Sequence, residues 1–419
     1  MTDLSSPDTV QLLLFTRYPR PGSSKTRLIP ALGPEGAAAL QRDMTRFTLK
    51  EALKTGFPLE VRYTGARAED MRNWLGEGFS LADQGDGDLG ERLDRAFREH
   101  FTKKTRFVIV LGADCPENRA DNILACAKAL GQKDWAIGPA KDGGYYMLGM
   151  GRYLPRLFQG VDWGTSKVLA QTLAAEKSAP FLLSCLSDVD EKEDIPAKIS
   201  VILPTLNEAA FIEKTLSSLG QGFHVEVLVS DGGSRDRTPE IARSCGAEVL
   251  TSPPGRAGQM NYAAARASGS ILFFLHGDSL APENWDRDLR QILKQPGVAL
   301  GAFQFGLQEK IPGMDLLIRA VRFRSCRMKR PYGDQGLFMH KSLFEELGGF
   351  PDEPILEDLL LVKKARKRGR IVMAASFVKT SARRWQQKGL LRTTLIHQAI
   401  LLGAAMGLSP SRLMKLLRR

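Results

Sequence analysis

The feature that most constrains the fold is an order of segments that occurs twice: a short apolar run, a polar loop with proline or glycine, and a helix-like stretch. Residues 10–15 begin the first series and residues 199–203 begin the second. Later apolar runs end in acidic and glycine residues, at 107–111, 225–229 and 271–275. Short buried strands that alternate with helices predict parallel α/β units, with ligands at the carboxyl ends of the strands.

The length of the chain indicates two such units. A domain usually has about 100–200 residues, so 419 residues predict two domains. The polar, proline-containing stretch Glu191-Lys-Glu-Asp-Ile-Pro-Ala-Lys198 has the character of a linker. We therefore expect domains at 1–197 and 198–419. The halves are not a tandem sequence repeat, so what they share is at most an architecture.

Charge separates the halves. Residues 1–198 carry 27 Lys and Arg and 27 Asp and Glu, so the net charge of +12 lies in residues 199–419. An excess of this kind attracts nucleotide diphosphates, lipid phosphates or an anionic membrane, or it serves solubility alone. Nucleic acid is not an expected partner, because the basic clusters contain few aromatic residues and match no nucleic-acid-binding motif.

Cysteine usage and hydropathy indicate a cytoplasmic protein. The five cysteines are scattered and form no C-x-x-C pair, so neither a disulfide framework nor a zinc site is expected. Residues 1–9 are polar and the apolar run after them is too short for a signal peptide. The sequence contains no stretch of 18 apolar residues, so a membrane span is not expected.

Carboxylates follow the predicted strands of the second half. Glu208, Asp231 and Asp278 each stand at or just after a strand, and the pair Glu357-Asp358 precedes a predicted helix at 359–370. Carboxylates in such positions hold a divalent cation or ribose hydroxyls, and a separate one can deprotonate an attacking hydroxyl. Each residue taken alone has an equally good explanation as a turn aspartate or a helix cap.

Taken in order, these motifs resemble family 2 glycosyltransferases of the GT-A fold over residues 199–390. The resemblance implies that Ser200-Val-Ile-Leu-Pro-Thr-Leu-Asn-Glu208 is the opening strand and nucleotide-contacting loop, with Pro204, Asn207 and Glu208 at the nucleotide. It implies that Asp231 contacts the base or ribose and that Asn261 belongs to an element closing over the nucleotide. The expected substrate is a nucleotide sugar.

The resemblance also implies a metal site and a general base. Phe274-Leu-His-Gly-Asp-Ser279 lies where the family carries its metal-binding D-x-D. Asp278 is retained, whereas His276 replaces the first Asp; it supplies a nitrogen ligand suited to Mn²⁺, or it only hydrogen-bonds the diphosphate or the loop. The expected cofactor is a divalent metal, Mg²⁺ or Mn²⁺. Asp358 corresponds to the general base beside Glu357, and Asp334 is expected near the acceptor or donor sugar.

A fragment of the family's Q-x-x-R-W element is present as Ser381-Ala-Arg-Arg-Trp385. Arg384 and Trp385 could clamp the diphosphate and cover the acceptor, or form an ordinary surface pair. The variant motifs together resemble the bacterial arsenosugar-biosynthesis-type subgroup, which leaves the acceptor undefined. The mechanism implied is inverting transfer, with Asp358 taking the proton of the acceptor hydroxyl.

The apolar stretch 389–408 follows, flanked by basic residues and interrupted by Arg392, His397 and Gln398. Two interpretations stay open. One is an interfacial helix that gives peripheral contact with the inner face of the membrane, beside a lipid-linked acceptor. The other is packing on its own domain or on a second copy, in a homodimer.

The first half has its own basic loop and acidic strand ends. Lys25 and Arg27 follow the first strand in a loop with Gly22 and are placed to meet phosphates, although the spacing is not that of a Walker loop. Asp114 ends a predicted strand at a metal position. The glycine-rich loop 138–146 carries Asp142, and Asp188-Val-Asp190 adds an acidic pair.

As a set, these motifs resemble the bacterial domain of unknown function 2064 over about residues 10–195, a nucleotidyltransferase-like or glycosyltransferase-like GT-A domain. Asp88-Leu-Gly-Glu-Arg92 and Asp162-Trp-Gly-Thr165 carry the likeness further. By analogy, Lys25 and Arg27 would bind a triphosphate, with Asp142 in the same nucleotide site. Asp114 with Asp188 or Asp190 would hold Mg²⁺.

The sequence therefore predicts an α/β protein of two tandem GT-A-like domains, of the Rossmann-like nucleotide-diphospho-sugar transferase type. The leading hypothesis is a bifunctional enzyme, a nucleotidyltransferase-like first half fused to a glycosyltransferase. Two glycosyltransferases acting in series is an alternative. A first half that binds nucleotide only as a scaffold is another.

Overall fold

The computed structural model describes residues 10–102, 105–220, 222–309, 311, 313–389 and scattered positions between 395 and 414. The chain divides into two compact units, Met1–Pro196 and Ala197–Arg419. They are called unit 1 and unit 2 below, and each is described by itself. Half of the predicted apolar segment 389–408 falls outside the described residues, as does the side chain of Arg384.

Unit 1 alternates strands and helices as its apolar pattern predicts. Its strands are β1 Val10–Arg17, β2 Leu59–Thr64, β3 Ser80–Asp83, β4 Phe107–Gly112, β5 Trp135–Pro139, β6 Tyr145–Met150 and β7 Phe181–Leu182. Its helices are α1 Ile29–Leu53, α2 Ala68–Leu75, α3 Leu89–Thr102, α4 Ala120–Leu130 and α5 Val168–Ala175. Short 3-10 turns cover Thr26–Leu28, Pro155–Phe158 and Lys192–Asp194.

The sheet of unit 1 has seven strands in the order β3-β2-β1-β4-β6-β5-β7. Strand β6 runs antiparallel to both of its neighbours, and the other pairs are parallel. Two clusters of buried side chains, one containing Leu12 and Ile109 and the other Leu13 and Val110, include alternate residues of β1 and β4. Continuous apolar runs are expected where both faces of a parallel sheet are covered.

Unit 2 has eight strands, β8 Ile199–Thr205, β9 Val225–Asp231, β10 Glu248–Thr251, β11 Ile271–Phe274, β12 Ser279–Leu280, β13 Val298–Leu307, β14 Leu337–His340 and β15 Arg370–Thr380. Its helices are α6 Ile212–Leu219, α7 Thr238–Ser244, α8 Arg256–Arg266, α9 Trp285–Leu293, α10 Met314–Arg322, α11 Lys341–Glu346, α12 Glu357–Arg366 and α13 Arg383–Lys388. A π-helical turn covers Phe323–Arg327, and a 3-10 turn covers Gly333–Gln335.

The sheet of unit 2 has the order β10-β9-β8-β11-β14-β13-β15-β12. Strand β14 is antiparallel to β11 and β13, as β6 is to its neighbours in unit 1. With β12 set aside and the strands of each unit counted from its own first strand, both sheets read 3-2-1-4-6-5-7. The fold class predicted from the sequence is confirmed: two α/β sheets of the same topology in tandem.

The core of unit 2 is rich in aromatic side chains. Phe273 on β11 stacks on Trp285 with ring centroids 5.2 Å apart and meets Phe303 at 5.6 Å. All three side chains are fully buried, each at 0% exposure. This packing fixes β11, whose carboxyl end leads to His276 and Asp278.

One predicted helix differs in extent. The sequence predicts it over 359–370, whereas α12 spans Glu357–Arg366 and β15 begins at Arg370. Gly369 passes so close to the backbone of Gly297 that a Cβ on it would lie 2.6 Å from the Gly297 carbonyl oxygen. The strand pairing between β13 and β15 therefore ends the helix. Within the described residues, no helix is long and apolar enough to cross a membrane.

Candidate functional site

The carboxyl ends of β8 and β9 lie side by side in unit 2, with Thr205 in register with Asp231. The Thr205 hydroxyl donates to Asp231 Oδ1 at 3.2 Å, and the backbone N–H groups of Gly233 and Ser234 donate to Asp231 Oδ2 at 3.0 and 2.9 Å. Gly233 has φ +90°, a conformation natural for glycine. Asp231 is only 4% exposed, and its carboxylate holds the loop that follows it in place.

The loop after β8 is tied to the same turn. The Asn207 N–H donates to the Ser234 hydroxyl at 2.8 Å, and the Arg235 N–H donates to Asn207 Oδ1 at 2.8 Å. The Glu208 N–H donates to the Thr238 hydroxyl at 2.8 Å. Pro204, half-buried in β8, pairs with Ser230 of β9. The residues predicted for nucleotide binding therefore lie on two loops that hold each other.

A buried glutamine that the sequence analysis did not single out joins these strand ends. Gln259 on α8 donates through Nε2 to the carbonyls of Thr205 and Ser230, at 2.8 and 2.7 Å. Gln259 is 4% exposed. Nothing in a Gly-Gln-Met-Asn stretch distinguishes such a glutamine from one facing solvent.

Asn261, on the same helix, makes a reciprocal pair with the backbone of Phe350. Its Nδ2 donates to the Phe350 carbonyl at 2.8 Å, and the Phe350 N–H donates to Asn261 Oδ1 at 2.9 Å. A Cβ on Gly349 would lie 2.6 Å from Asn261 Oδ1, so glycine permits the contact. Asn261 therefore orders the loop that precedes α12.

Arg383 reaches two predicted site carboxylates that are far apart in sequence. Its guanidinium contacts Glu208 Oε1 and lies 3.3 Å from Asp278 Oδ2, with the Phe211 ring centroid 4.9 Å away. Burial works to lower the pKa of Arg383, but the two carboxylates raise it above its ordinary value. The sequence analysis named its neighbours Arg384 and Trp385 and missed Arg383.

The stretch 381–385 is held beside Asp278. The Ser381 N–H and Gln308 Nε2 both donate to the Asp278 carbonyl, at 3.1 and 2.8 Å. The Trp385 ring packs edge-on to Phe305, with centroids 6.2 Å apart. These contacts follow from the pairing of β12 with β15, which places the end of β15 at the end of β11.

Asp358, His276 and Gly333 come together at a second point in unit 2. The Gly333 N–H donates to Asp358 Oδ2 at 2.6 Å, and the Leu359 N–H donates to Oδ1 at 2.7 Å. A Cβ on Gly333 would lie 3.2 Å from both Asp358 Oδ2 and His276 Nε2. Asp334 follows in the 3-10 turn Gly333–Gln335. A carboxylate with two backbone donors at a helix N-terminus is held in a fixed orientation.

Glu357 is placed differently from its neighbour. It is 4% exposed and pairs with Arg256, whose Nη1 lies 3.5 Å from Glu357 Oε1. Burial raises the pKa of Glu357, Arg256 opposes this, and the charge of Asp358 adds to it, with a net rise. Glu357 therefore ties α12 to α8 rather than facing the same partners as Asp358.

In unit 1, Lys25 lies across two carboxylates, Asp114 just after β4 and Asp190 in the loop after β7. Its Nζ is 2.8 Å from Asp190 Oδ1 and 3.4 Å from Asp114 Oδ2, and Arg27 Nη1 is 3.5 Å from Asp190 Oδ2. Burial works to lower the pKa of Lys25, and the two aspartates outweigh it and raise the pKa. Lys25 adopts φ 45°, which is uncommon for a residue with a side chain.

Three aspartates of unit 1 converge. Asp142, Asp188 and Asp190 each offer a carboxylate oxygen within 4.8 Å of the others. Burial, then the charges of Asp142, Asp114 and Asp190, raise the pKa of Asp188 to about 6. Carboxylate oxygens are the ligands that Mg²⁺ and Mn²⁺ prefer, so this set fits a hard divalent cation. Asp142, predicted in the nucleotide site, stands with the acidic pair.

The two units differ in how a metal could be held. In the part of the chain that the structure describes, the unit 1 trio is the only group of three or more His, Cys, Asp or Glu ligands this close together. In unit 2, Asp278 faces Arg383, and His276 faces the Gly333 turn. Only two unit 2 residues, Asp278 and His276, were predicted as metal ligands, so a metal there would take most of its ligands from substrate and water, as Mg²⁺ commonly does.

Two family models match separate parts of the chain. Residues 48–165 match the family described as an uncharacterized protein conserved in bacteria, DUF2064. Residues 200–340 match the family described as glycosyl transferase family 2. Both resemblances found in the motifs are thereby confirmed for these segments.

Named relatives are partial matches. Glycosyltransferase AglE of Haloferax volcanii is 30% identical over 176 residues, covering 38% of this chain and 57% of that protein. A crystal structure of a putative nucleotide-diphospho-sugar transferase from Desulfovibrio desulfuricans G20 is 31% identical, covering 44% of this chain and 83% of that one, with a TM-score of 0.42.

A third match is the glucosyl-3-phosphoglycerate synthase of Mycobacterium tuberculosis in complex with Mn²⁺, UDP and glucosyl-3-phosphoglycerate. It is 22% identical, covers 51% of this chain and 81% of that one, and has a TM-score of 0.37. The chain thus spans a little over half the length of the first curated relative.

Proposed function

We propose that residues 198–419 transfer a sugar from a nucleotide-sugar donor to an acceptor hydroxyl, with inversion at the anomeric carbon. The observation that carries this proposal is the Gly333 turn. It holds Asp358 in a fixed orientation beside His276, while Arg383, Glu208 and Asp278 form a separate charged group. The match of residues 200–340 to glycosyl transferase family 2 supports it.

The two groups divide the chemistry. Asp358 accepts the proton of the acceptor hydroxyl, which attacks the anomeric carbon as the nucleoside diphosphate leaves. Arg383, kept charged by its carboxylate partners, meets the negative charge that develops on the leaving diphosphate. Asp334, on the turn beside Asp358, contacts the acceptor or the donor sugar.

The nucleotide is held by the joined loops of β8 and β9. Pro204, Asn207 and Glu208 line one side of this site, and the loop ordered by Asp231 lines the other. Asn261 orders the covering loop. Arg384 and Trp385 border the diphosphate side. A divalent metal held by Asp278, with His276 as a second ligand, would neutralise the diphosphate.

Unit 1 is proposed to be a nucleotidyltransferase-like partner. Lys25 and Arg27 would bind a triphosphate, and Asp142, Asp188 and Asp190 with Asp114 would hold Mg²⁺ or Mn²⁺. The chain would then be bifunctional. A second glycosyltransferase in unit 1, or a nucleotide-binding scaffold without catalysis, remains the alternative.

The remaining proposals concern acceptor and location. The acceptor is small or lipid-linked, and the protein is cytoplasmic, with peripheral contact at the inner face of the membrane through the stretch 389–408. That stretch equally serves a homodimer. Nucleic acid is not among the proposed partners.

A donor screen tests the central proposal. The whole chain is heated with UDP-, GDP-, ADP- and dTDP-sugars and with GTP, each with and without Mn²⁺, and unfolding is followed by calorimetry. One sugar nucleotide should stabilise the transition of unit 2, since a ligand bound only to the folded state stabilises it by mass action. Absence of any shift in that transition would argue against glycosyl transfer.

Asp114→Asn separates the roles of unit 1. Loss of a GTP-dependent or sugar-nucleotide-dependent shift in unit 1, with loss of its product, supports a catalytic domain. Retention of every activity of the chain would favour the scaffold alternative.

A further inference from the structure

A basic segment precedes the Gly333 turn of unit 2 and has no role in the transfer described above. Residues 316–332 contain six cationic residues and no Asp or Glu. Helix α10 (Met314–Arg322) continues directly into the π-helical turn Phe323–Arg327. Four of the six cations therefore lie on one short helical element, and Lys329 and Arg330 follow it.

Large apolar side chains are exposed among these cations. Phe323 is 63% exposed and Met328 is 43% exposed. Phe377 on β15, 36% exposed, has its ring centroid 5.2 Å from the guanidinium of Arg322. We call the exposed side chains Arg319, Arg322, Phe323, Arg327, Met328, Lys329 and Arg330 the basic apolar face.

Among the residues that the structure describes, one side-chain contact is made by the cations of this face, that of Arg322 with the Phe377 ring. Arg324 lies between them but is not part of the face, because it lies 3.5 Å from the Tyr332 ring centroid and donates to the Arg330 carbonyl and Gln335 Oε1. Among the described residues, no carboxylate lies within 4.0 Å of the other five cations. Five cations with no ion pair among the described residues, grouped around exposed Phe and Met side chains, fit an anionic partner that also accepts apolar groups.

An adjoining groove extends the same character. It has a volume of about 670 Å³ and lies along α12, and Arg330 is among its lining residues. Leu359, Leu360 and Val362 contribute apolar lining, and its charged lining residues are all cationic. The basic apolar face and the groove therefore form one apolar surface bordered by positive charge.

We propose that the basic apolar face and this groove dock on an anionic phospholipid bilayer. Phe323 and Met328 enter the boundary between head groups and acyl chains, and the surrounding cations contact lipid phosphates, the pattern of an interfacial element. A nucleic acid would use the cations and stack a base on Phe323, but it would gain little from Met328 and from the aliphatic lining of the groove. This surface is distinct from the stretch 389–408, and the proposal does not rest on the transfer reaction.

Vesicle sedimentation of the full chain tests the proposal. Wild-type protein is mixed with phosphatidylglycerol or with phosphatidylcholine vesicles, without any sugar nucleotide, at low and high salt. Binding should occur with phosphatidylglycerol and weaken at high salt, because surface charges are screened. No sedimentation with phosphatidylglycerol, or equal binding to phosphatidylcholine, would overturn the proposal.

Two double variants locate the contact. R322E with R327E should reduce partitioning at least about a hundredfold, since each reversed charge replaces attraction to the anionic surface with repulsion. F323S with M328S should reduce it roughly tenfold or more, because it removes apolar area from the interface. All four side chains are exposed or on the surface, and circular dichroism checks that the fold is retained.

The matched control is K214E with R243E, which changes the net charge equally at two exposed sites elsewhere in unit 2. It should change partitioning less than about threefold. Equal loss in the control and in R322E with R327E would show that net charge alone drives binding and would overturn the proposal. Sedimentation velocity adds one more test: if the face variants abolish self-association instead, the face joins two copies and the proposal is wrong.

Insertion is tested by Phe323→Trp. This variant should partition as wild type does, and its added fluorescence should be quenched by lipids carrying bromine on the acyl chains. Wild-type protein, with its native tryptophans, provides the background. Full binding without quenching at position 323 would contradict the proposed depth.

Discussion

The two units place one long cationic side chain across two carboxylates at corresponding ends of their sheets, but with different surroundings. In unit 1, Lys25 spans Asp114 and Asp190, with Asp142 and Asp188 close by. In unit 2, Arg383 spans Glu208 and Asp278. The same 3-2-1-4-6-5-7 sheet therefore supports a dense acidic cluster in one unit and a single guanidinium-paired group in the other.

This difference separates what the shared sheet topology determines from what the loops of each unit determine. The topology brings strand ends together in both, whereas loops decide how much negative charge gathers there. Unit 1 concentrates carboxylates, which suits a metal held by the protein. Unit 2 keeps Asp358 apart on α12, which suits a base that must act separately from the diphosphate site.

The largest effect should come from Asp358→Asn. Loss of a general base typically costs 10²- to 10⁴-fold, so we expect sugar transfer to fall about a thousandfold while donor binding is unchanged. Product formation and titration calorimetry measure the two quantities. Asp352→Asn, an exposed position in the neighbouring loop, is the control. Transfer at the wild-type rate in Asp358→Asn would remove this residue from the chemistry.

The second-largest effect should be a difference between the two units in metal binding. We expect Mn²⁺ alone to bind unit 1, whereas unit 2 should bind it only with a nucleotide. Asp142→Asn with Asp188→Asn should weaken Mn²⁺ binding to unit 1 about tenfold to a hundredfold, because two oxygen ligands are altered. Electron paramagnetic resonance of free Mn²⁺ reports both sites. Asp134→Asn, whose carboxylate pairs with Arg152 at 2.8 Å, should have no effect. Equal nucleotide dependence of both sites would break the comparison.

Replacing Lys25 or Arg383 should have smaller effects on ligand binding. In unit 1 the effects on triphosphate binding and on Mn²⁺ binding should have opposite signs. Lys25→Met should weaken triphosphate binding about tenfold but strengthen Mn²⁺ binding, since it removes a cation that the carboxylates already hold. Arg383→Met should weaken nucleoside diphosphate binding about tenfold. Lys25→Arg and Arg383→Lys, which keep the charge, should lose less. Unchanged affinities in both Met variants would make the cations structural pairs only.

The smallest effects should be on folding stability. They concern Glu60 and Glu226, each the second residue in the second strand of its unit. Burial alone would raise the pKa of Glu226, but hydrogen bonds from Ser200, Ser268 and Lys198 lower it to about 2 from its ordinary 4.5. For Glu60, bonds and charges from His100 and Arg62 likewise outweigh burial and lower the pKa. A depressed pKa contributes stability that is present above pH 4.5 and lost as the pH falls.

Glu226→Gln should therefore destabilise unit 2 by about 1–2 kcal/mol at pH 7 and by little near pH 2. Glu60→Gln should act in the same direction on unit 1 alone. Calorimetry of the full chain at several pH values distinguishes the two transitions. A shift of both transitions by either variant would show that the units do not unfold independently.

The strands and the acidic strand ends could be predicted from the sequence, because continuous apolar runs leave few alternatives and the acids follow them directly. Arg383 could not, since its partner Glu208 lies 175 residues away and the pairing exists only once β15 meets β12. Asp142 was expected beside phosphates. Its approach to Asp188 and Asp190 depends on loop geometry that no local pattern encodes.

Because Lys25 and Arg383 each already pair with two carboxylates, a ligand entering either site takes part in an exchange rather than in a simple addition. A tethered cationic side chain competes at an effective concentration on the order of millimolar, which weakens the apparent affinity for any incoming cation. A polyphosphate that draws the side chain away frees the carboxylates at the same moment. Metal and nucleotide should therefore bind cooperatively, each lowering the cost of admitting the other.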